Sequence, residues 1–188
     1  MKIVVVLGSP RFEGNCAILA QKVCDAVEAR GAEVRKFLAN KMDFKACQGC
    51  ESCKTTSDHC VLEDELTEVL GAIKKADILV LASPVNWGDI SGRLKCFFDR
   101  TYSFLNPDSS SRLPSGKKAV LILLQAEPDE GEVDDIFPRY EHWLRLYGFS
   151  PIYRLRATGV RFPGDIKRQT RILKQAAALG RELAAPAA

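Results

Sequence analysis

A chain of 188 residues, 46% of them apolar, is long enough to bury one substantial core. Its formal charge of +3 is small and its lysines and arginines are scattered, which argues against nucleic acid as the main partner. No apolar run approaches the ~20 residues that cross a bilayer, and residues 1–7 enter a strand at once without a secretory pattern, so the expectation is a soluble cytoplasmic protein with no membrane partner.

Residues 3–7 form a continuous apolar run ending at Gly8, the pattern of a buried parallel strand. A helix is expected from about 15 to 30, with Leu19, Val23 and Val27 on one stripe beside Cys16, Ala20 and Cys24, and Gly31 as its cap. Residues 32–38 read as a half-apolar strand toward the sheet edge. A cysteine-rich insertion at about 45–61 follows, then a helix from roughly 63 to 75. Residues 78–82 are a third strand ending in Ser83-Pro84, and a helix from about 91 to 102 leads into a polar loop over 106–116. Strands at 119–124 and 151–157 bracket a helix at 136–147 closed by Gly148, and the last helix is expected from about 165 to 184. Five βα units in series, with no repeat and no linker, predict one α/β domain over 1–188. Its parallel sheet has the order 2-1-3-4-5, with helices on both faces.

In such a sheet ligands bind beyond the strand carboxyl ends, where the strand order reverses, here between strands one and three. The first loop, Gly8-Ser9-Pro10-Arg11-Phe12-Glu13-Gly14-Asn15-Cys16, leads from a buried strand into a helix N-terminus. Free backbone N–H groups, the helix dipole, a hydroxyl, an amide and a guanidinium would converge there on an anion such as phosphate. A loop that merely turns and caps would use the same glycine, serine and asparagine. The loop lacks the Gly-Lys-Ser/Thr of a triphosphate site, a third glycine at dinucleotide spacing, a cysteine placed as a phosphatase nucleophile and the acids of a receiver domain. A mononucleotide survives. The second loop, from Ser83-Pro84-Val85-Asn86-Trp87-Gly88 to Gly92, offers an aromatic and free backbone groups to a flat heterocycle.

These loops, together with Ser91-Gly92-Arg93-Leu94-Lys95 and Phe98-Asp99-Arg100, resemble the NAD(P)H-dependent FMN reductase family of flavodoxin-like proteins over nearly the whole chain. The resemblance implies a flavodoxin-like three-layer sandwich. It implies an FMN phosphate held by Ser9, Arg11, Asn15 and Cys16, and an isoalloxazine over Pro84, Val85, Asn86, Trp87 and Gly88. It also implies a homodimer or dimer of dimers. Cys16 stands where the family usually has serine or threonine, Asn86 where tyrosine is frequent, and the segment 125–131 is acidic where small residues are common.

Cys47, Cys50, Cys53 and Cys60 are separated by two, two and six residues, a spacing that suits a soft metal. The same pattern resembles the iron–sulfur flavoprotein branch of this fold family, which implies a [4Fe–4S] cluster exchanging single electrons with FMN. Free thiols, a disulfide, or zinc with His59 as a spare ligand stay open. Cys24 and Cys96 read as packed, and His142 beside Trp143 has no partner arranged for catalysis.

No protein acid or base is required, because the flavin carries the chemistry. The expected activity is hydride transfer from NADH or NADPH to FMN and onward to a small-molecule acceptor: a quinone, free flavin, metal ion or nitro compound. The alternative is an electron carrier whose cluster meets a ferredoxin-like protein. A zinc-stabilised, non-redox binding domain is a third reading and predicts zinc without flavin.

Overall fold

The computed structural model describes residues 1–129 and 131–185. Glu130 of the acidic segment and residues 186–188 at the end of the expected domain lie outside the described residues.

Strand β1 (Lys2–Leu7) is flanked on both sides, with Val5 opposite Lys36 of β2 (Glu33–Leu38) and opposite Val80 of β3 (Ile78–Asn86). Beyond β3, after the short β4 (Asp89–Ile90), lie β5 (Lys118–Leu124) and β6 (Ile152–Ala157). The parallel order is β2-β1-β3-β5-β6, which is the expected order once the two-residue β4 is set aside. Alternation along each strand divides the core in two. Val4, Val6, Leu79, Leu81, Leu121 and Leu123 face α3 (Glu65–Lys75), α4 (Gly92–Arg100) and α5 (Ile136–Leu146). Ile3, Val5, Ile78, Val80, Val120 and Ile122 face α1 (Asn15–Glu28) and α6 (Thr170–Leu183). Leu19, Val23 and Val27 of α1 are at most 1% exposed, each worth about 1.5–3 kcal/mol of burial. α1 and α6 pack closely enough that a Cβ on Gly180 would lie 2.3 Å from the Val23 carbonyl oxygen. Among the described residues no helix is long and apolar enough to cross a membrane.

Several boundaries depart from the sequence pattern. The third strand runs on to Asn86 and folds back through Trp87 and Gly88, both at positive φ, to pair with β4. That is a two-residue hairpin turn built on Trp-Gly where Asn-Gly is usual. The expected last helix is interrupted: Gly164 is left-handed, residues 165–168 form a 3₁₀ turn, and α6 starts at Thr170. The helix expected at 63–75 begins at Glu65, because Asp64 caps it in a reciprocal box with Thr67. The helix expected to reach 102 ends at Arg100 in a 3₁₀ turn, Thr101–Phe104. Inside the cysteine-rich segment a single helical turn, α2 (Ser52–Thr55), follows left-handed Gly49 and Glu51.

Candidate functional site

The loop after β1 turns toward β2 and the loop after β3 turns toward β5, so a cleft opens between them at the strand carboxyl ends. Its cavity volume is about 280 Å³, and one wall is Ser9, Pro10, Arg11, Asn15 and Cys16. Pro84, Val85 and Asn86 form the opposite wall; Leu124 at the end of β5, Ala126 after it, and Val160 and Arg161 after β6 complete it.

Each wall is fixed by named bonds. The Ser91 hydroxyl donates to the Gly8 carbonyl at 2.7 Å while its N–H donates to Ser83 Oγ at 2.9 Å, which ties the two strand ends together. Ser9 Oγ accepts from the Arg11 N–H at 3.2 Å and curls the phosphate-type loop, leaving its own proton to donate. A Cβ on Gly14 would come within 2.8 Å of Arg11 Cβ and 3.5 Å of Ser9 Oγ, so the loop closes only on glycine. α1 starts there with no side-chain cap and no acidic residue in its first turn, so its first N–H groups and its dipole are directed at the cleft. The β3–β4 hairpin is anchored through Asp89, whose carboxylate accepts from Tyr140 Oη at 2.9 Å and Arg139 Nη1 at 3.1 Å. Burial and that carboxylate raise the Tyr140 pKa, so the phenol stays a donor.

Asn15 does a different job from the one its position suggests. Its Nδ2 donates to the Phe162 carbonyl at 2.8 Å, and its Oδ1 accepts from the N–H groups of Gly164 at 2.9 Å and Ile166 at 3.4 Å. One amide N–H is left over; the rest of the group staples the loop after β6 against α1. The Asp165 carboxylate accepts from the Arg161 and Phe162 N–H groups, which also hold its pKa below the usual range. Arg161 is thereby brought to the cleft as a second guanidinium. Nothing in the sequence singled it out.

Burial pushes the Cys16 thiol up to about 12, against the opposing pull of its own N–H and Arg11, so it stands in the cleft as a neutral, weak donor. Ser9, Arg11, Asn15, Cys16, Pro84, Val85 and Asn86 are therefore brought together as expected. Trp87 and Gly88 are not: Trp87 is fully exposed at the hairpin tip, outside the cleft lining. The donor set fits a phosphate monoester joined to a flat ring: two guanidiniums, a hydroxyl and an open helix N-terminus at one end, hairpin backbone at the other. A larger cleft of about 870 Å³ lies at the edge of β6, but there Arg154 is bonded to Glu141 and Arg156 to Asp134.

The four cysteines occupy a second place. Cys47, Cys50, Cys53 and Cys60 all line one small pocket of about 20 Å³ beside Arg100 and Tyr102. None of the four is joined in a disulfide. Among the described residues, no three His, Cys, Asp or Glu side chains are drawn in closely enough to enclose an ion. His59 bonds its neighbours Ser57 and Asp58 instead of joining the pocket. The segment is held mainly by cation-to-carbonyl bonds, running both into it and out of it. Arg93 donates to the carbonyls of Ala39, Met42 and Phe44, Arg112 to that of Cys53 at 2.8 Å, and Lys54 reaches back to Tyr102 O at 2.7 Å. Arg100, 1% exposed, pairs with Asp64 and donates to the Lys45 and Leu62 carbonyls and to Cys60 Sγ. The spacing of the cysteines was legible; this set of clamps was not.

The NADPH-dependent FMN reductase family profile matches residues 1–132, more than half of the chain. Among relatives, an iron–sulfur flavoprotein of Archaeoglobus fulgidus is 28% identical over 184 residues, covering 98% of this chain and 79% of that one. Bacillus subtilis YwqN, whose name describes an NAD(P)H-dependent FMN-containing oxidoreductase, is 28% identical, covering 95% and 96%. An iron–sulfur flavoprotein of Methanocaldococcus jannaschii is 35% identical over 101 residues, 54% of this chain and 52% of that one, so the chain spans about half that relative's length. In fold it is similar to the NAD(P)H:quinone oxidoreductase from Methanothermobacter marburgensis, with a TM-score of 0.78, 19% identity and coverage of 100% and 98%. It is also similar to an FMN-dependent NADH-azoreductase from Bacillus anthracis, with a TM-score of 0.75, 13% identity and coverage of 98% and 100%. With a flavodoxin-like sheet, a phosphate-ready cleft at its reversal point and a family profile over both loops, this chain belongs to the NADPH-dependent FMN reductase family.

Proposed function

We propose that the cleft between the β1 and β3 loops holds FMN and that the chain passes electrons from NADH or NADPH to a small acceptor such as a quinone or free flavin. The observation that supports this most is the convergence of Arg11, Arg161, Ser9 and the open start of α1 beside the Pro84–Val85–Asn86 wall. FMN would supply hydride acceptance. The chain's own residues bind and orient: the cations and N–H groups hold the phosphate end, and the hairpin wall supports the ring. The Cys16 thiol, kept protonated by burial, contributes packing and a weak donor there. The test is an anaerobic titration of apoprotein with FMN, followed by flavin bleaching with NADH and with NADPH and reoxidation by menadione. Tight binding with bleaching and reoxidation supports the proposal; an apoprotein that leaves FMN fluorescence unquenched overturns it.

A second reading adds an iron–sulfur cluster on Cys47, Cys50, Cys53 and Cys60, which would make the chain an electron carrier for a ferredoxin-like protein. It is favoured by four thiols lining one pocket, with the Arg100 guanidinium bonded to one of them, and by relatives named as iron–sulfur flavoproteins. Iron and zinc analysis after anaerobic purification decides among cluster, zinc and free thiols. A homodimer or dimer of dimers is part of the same proposal and is read by light scattering with FMN bound.

A further inference from the structure

Arg100 is among the largest fully buried side chains, at 1% exposure. A buried guanidinium must spend all of its donors, and its bonding shows where. Nη1 donates to the Lys45 carbonyl and to Asp64 Oδ2, both at 2.8 Å. Nη2 donates to the Leu62 carbonyl at 3.1 Å and to Asp64 Oδ1 at 3.3 Å. The remaining donor, Nε, ends on Cys60 Sγ at 3.0 Å.

Two features set this contact apart. Arg93, Arg112 and Lys54 end on carbonyl oxygens, main-chain ones and the Asn106 amide, whereas Arg100 alone of the four also reaches a sulfur. And Arg100 bridges the two ends of the cysteine segment, Lys45 before it and Cys60 to Asp64 after it, so one side chain closes the base of the loop that carries the four thiols. A neutral thiol is a weak acceptor, a poor match for a buried charged donor; a metal-bound thiolate is a strong one.

We propose that Arg100 is a positioning residue for the four-cysteine site. It holds Cys60 in place as a hydrogen-bonded thiolate ligand and raises the reduction potential of the cluster bound there. The inference rests on the iron–sulfur reading of Cys47, Cys50, Cys53 and Cys60. Reduction adds negative charge that sulfur shares, and an N–H donor on that sulfur stabilises the reduced form. Asp64 neutralises the guanidinium at its far end and leaves Nε–H directed at the sulfur.

The experiment compares the wild type, Arg100→Lys and Arg112→Lys, each reconstituted anaerobically and titrated with redox dyes while the cluster absorbance is followed. Both variants keep a cation. Only the first loses the bond to sulfur, since Arg112 holds the Cys53 carbonyl. The expected result is an Arg100→Lys cluster about tenfold harder to reduce at fixed potential, a shift of about 59 mV for one electron, with the Arg112→Lys potential unchanged. Equal potentials in wild type and Arg100→Lys, or equal shifts in both variants, overturn the role of Arg100. Should Arg100→Lys not fold, pulsed EPR of the reduced wild-type cluster, in a chain carrying ¹⁵N only in its arginines, reads the bond directly. A ¹⁵N coupling to the cluster spin supports it; its absence overturns it. A wild type that takes up no iron overturns the iron–sulfur reading itself, a different failure from a bound cluster indifferent to Arg100.

Discussion

Replacing Asp64 by asparagine isolates the charge of one carboxylate from the rest of its bonding. Asn caps a helix about as well as Asp, so the Oδ1 bond from the Leu66 N–H and the start of α3 survive. The Oδ2 atom does not: it accepts from the Lys45 N–H at 3.1 Å and from Arg100 Nη1 at 2.8 Å, and an amide NH₂ there would face two donors. Arg100 would be left buried beside no carboxylate. Breaking one partner of a buried pair costs about 3–5 kcal/mol. The Asp64 side chain is 13% exposed against 0% for Arg100, so the lower end, about 3 kcal/mol, is expected. For a chain of this size that lowers Tm by about 6–12 °C. The assay is differential scanning calorimetry of the metal-free chain at pH 7 and again near pH 3. Although partial burial opposes it, bonding to Arg100, Lys45 and Leu66 holds the Asp64 carboxyl below its ordinary value. Its contribution is therefore full above the unfolded carboxylate value of about 3.9 and fades as pH falls through the lower folded value. The gap between wild type and Asp64→Asn should be wide at pH 7 and narrow in acid. A Tm difference under about 1 °C at pH 7, or a gap that does not change with pH, refutes the reasoning.

The cleft makes a charge prediction: Arg11→Gln and Arg161→Gln should each weaken FMN by about 1.5–3 kcal/mol in fluorescence titrations, while riboflavin, which lacks the phosphate, binds wild type and variants alike. Gly180→Ala places a methyl against backbone that cannot swing aside, the Val23 carbonyl, and should destabilise the α1–α6 contact by about 1–3 kcal/mol in urea melts. Trp87→Asn should leave stability equal or raise it by about 0.5 kcal/mol, because the indole is fully exposed and its left-handed backbone suits asparagine better.

The sheet was legible because parallel strands buried on both faces leave unbroken apolar runs such as Ile3–Val4–Val5–Val6–Leu7, and their order followed from serial βα units. The cleft was half legible. Ser9 and Arg11 lie next to a strand end and a helix start, so local spacing placed them, and Pro84 to Asn86 followed from the third strand. Arg161 had no such signal: an arginine before Phe-Pro-Gly acquires its place only because Asn15, almost 150 residues earlier, bonds the turn that follows it. The sequence places Asn15 as a phosphate donor because it shows what an amide can reach locally and not what the loop after β6 offers it. Trp87 was read as a wall of the site, yet the turn it occupies projects it into solvent. From the acidic segment after β5 the cleft takes Ala126, a small residue.

Apart from the Arg100 bonds to Asp64 and Cys60, the cations that fasten residues 39–64 grip it by carbonyl oxygens, which every amino acid supplies. The path of that segment is thus largely indifferent to what its side chains are. Among descendants of such a chain, thiols could be exchanged for other residues, or regained, one at a time while the scaffold kept its course. A fold built this way can acquire a metal centre or shed it without first having to be redesigned.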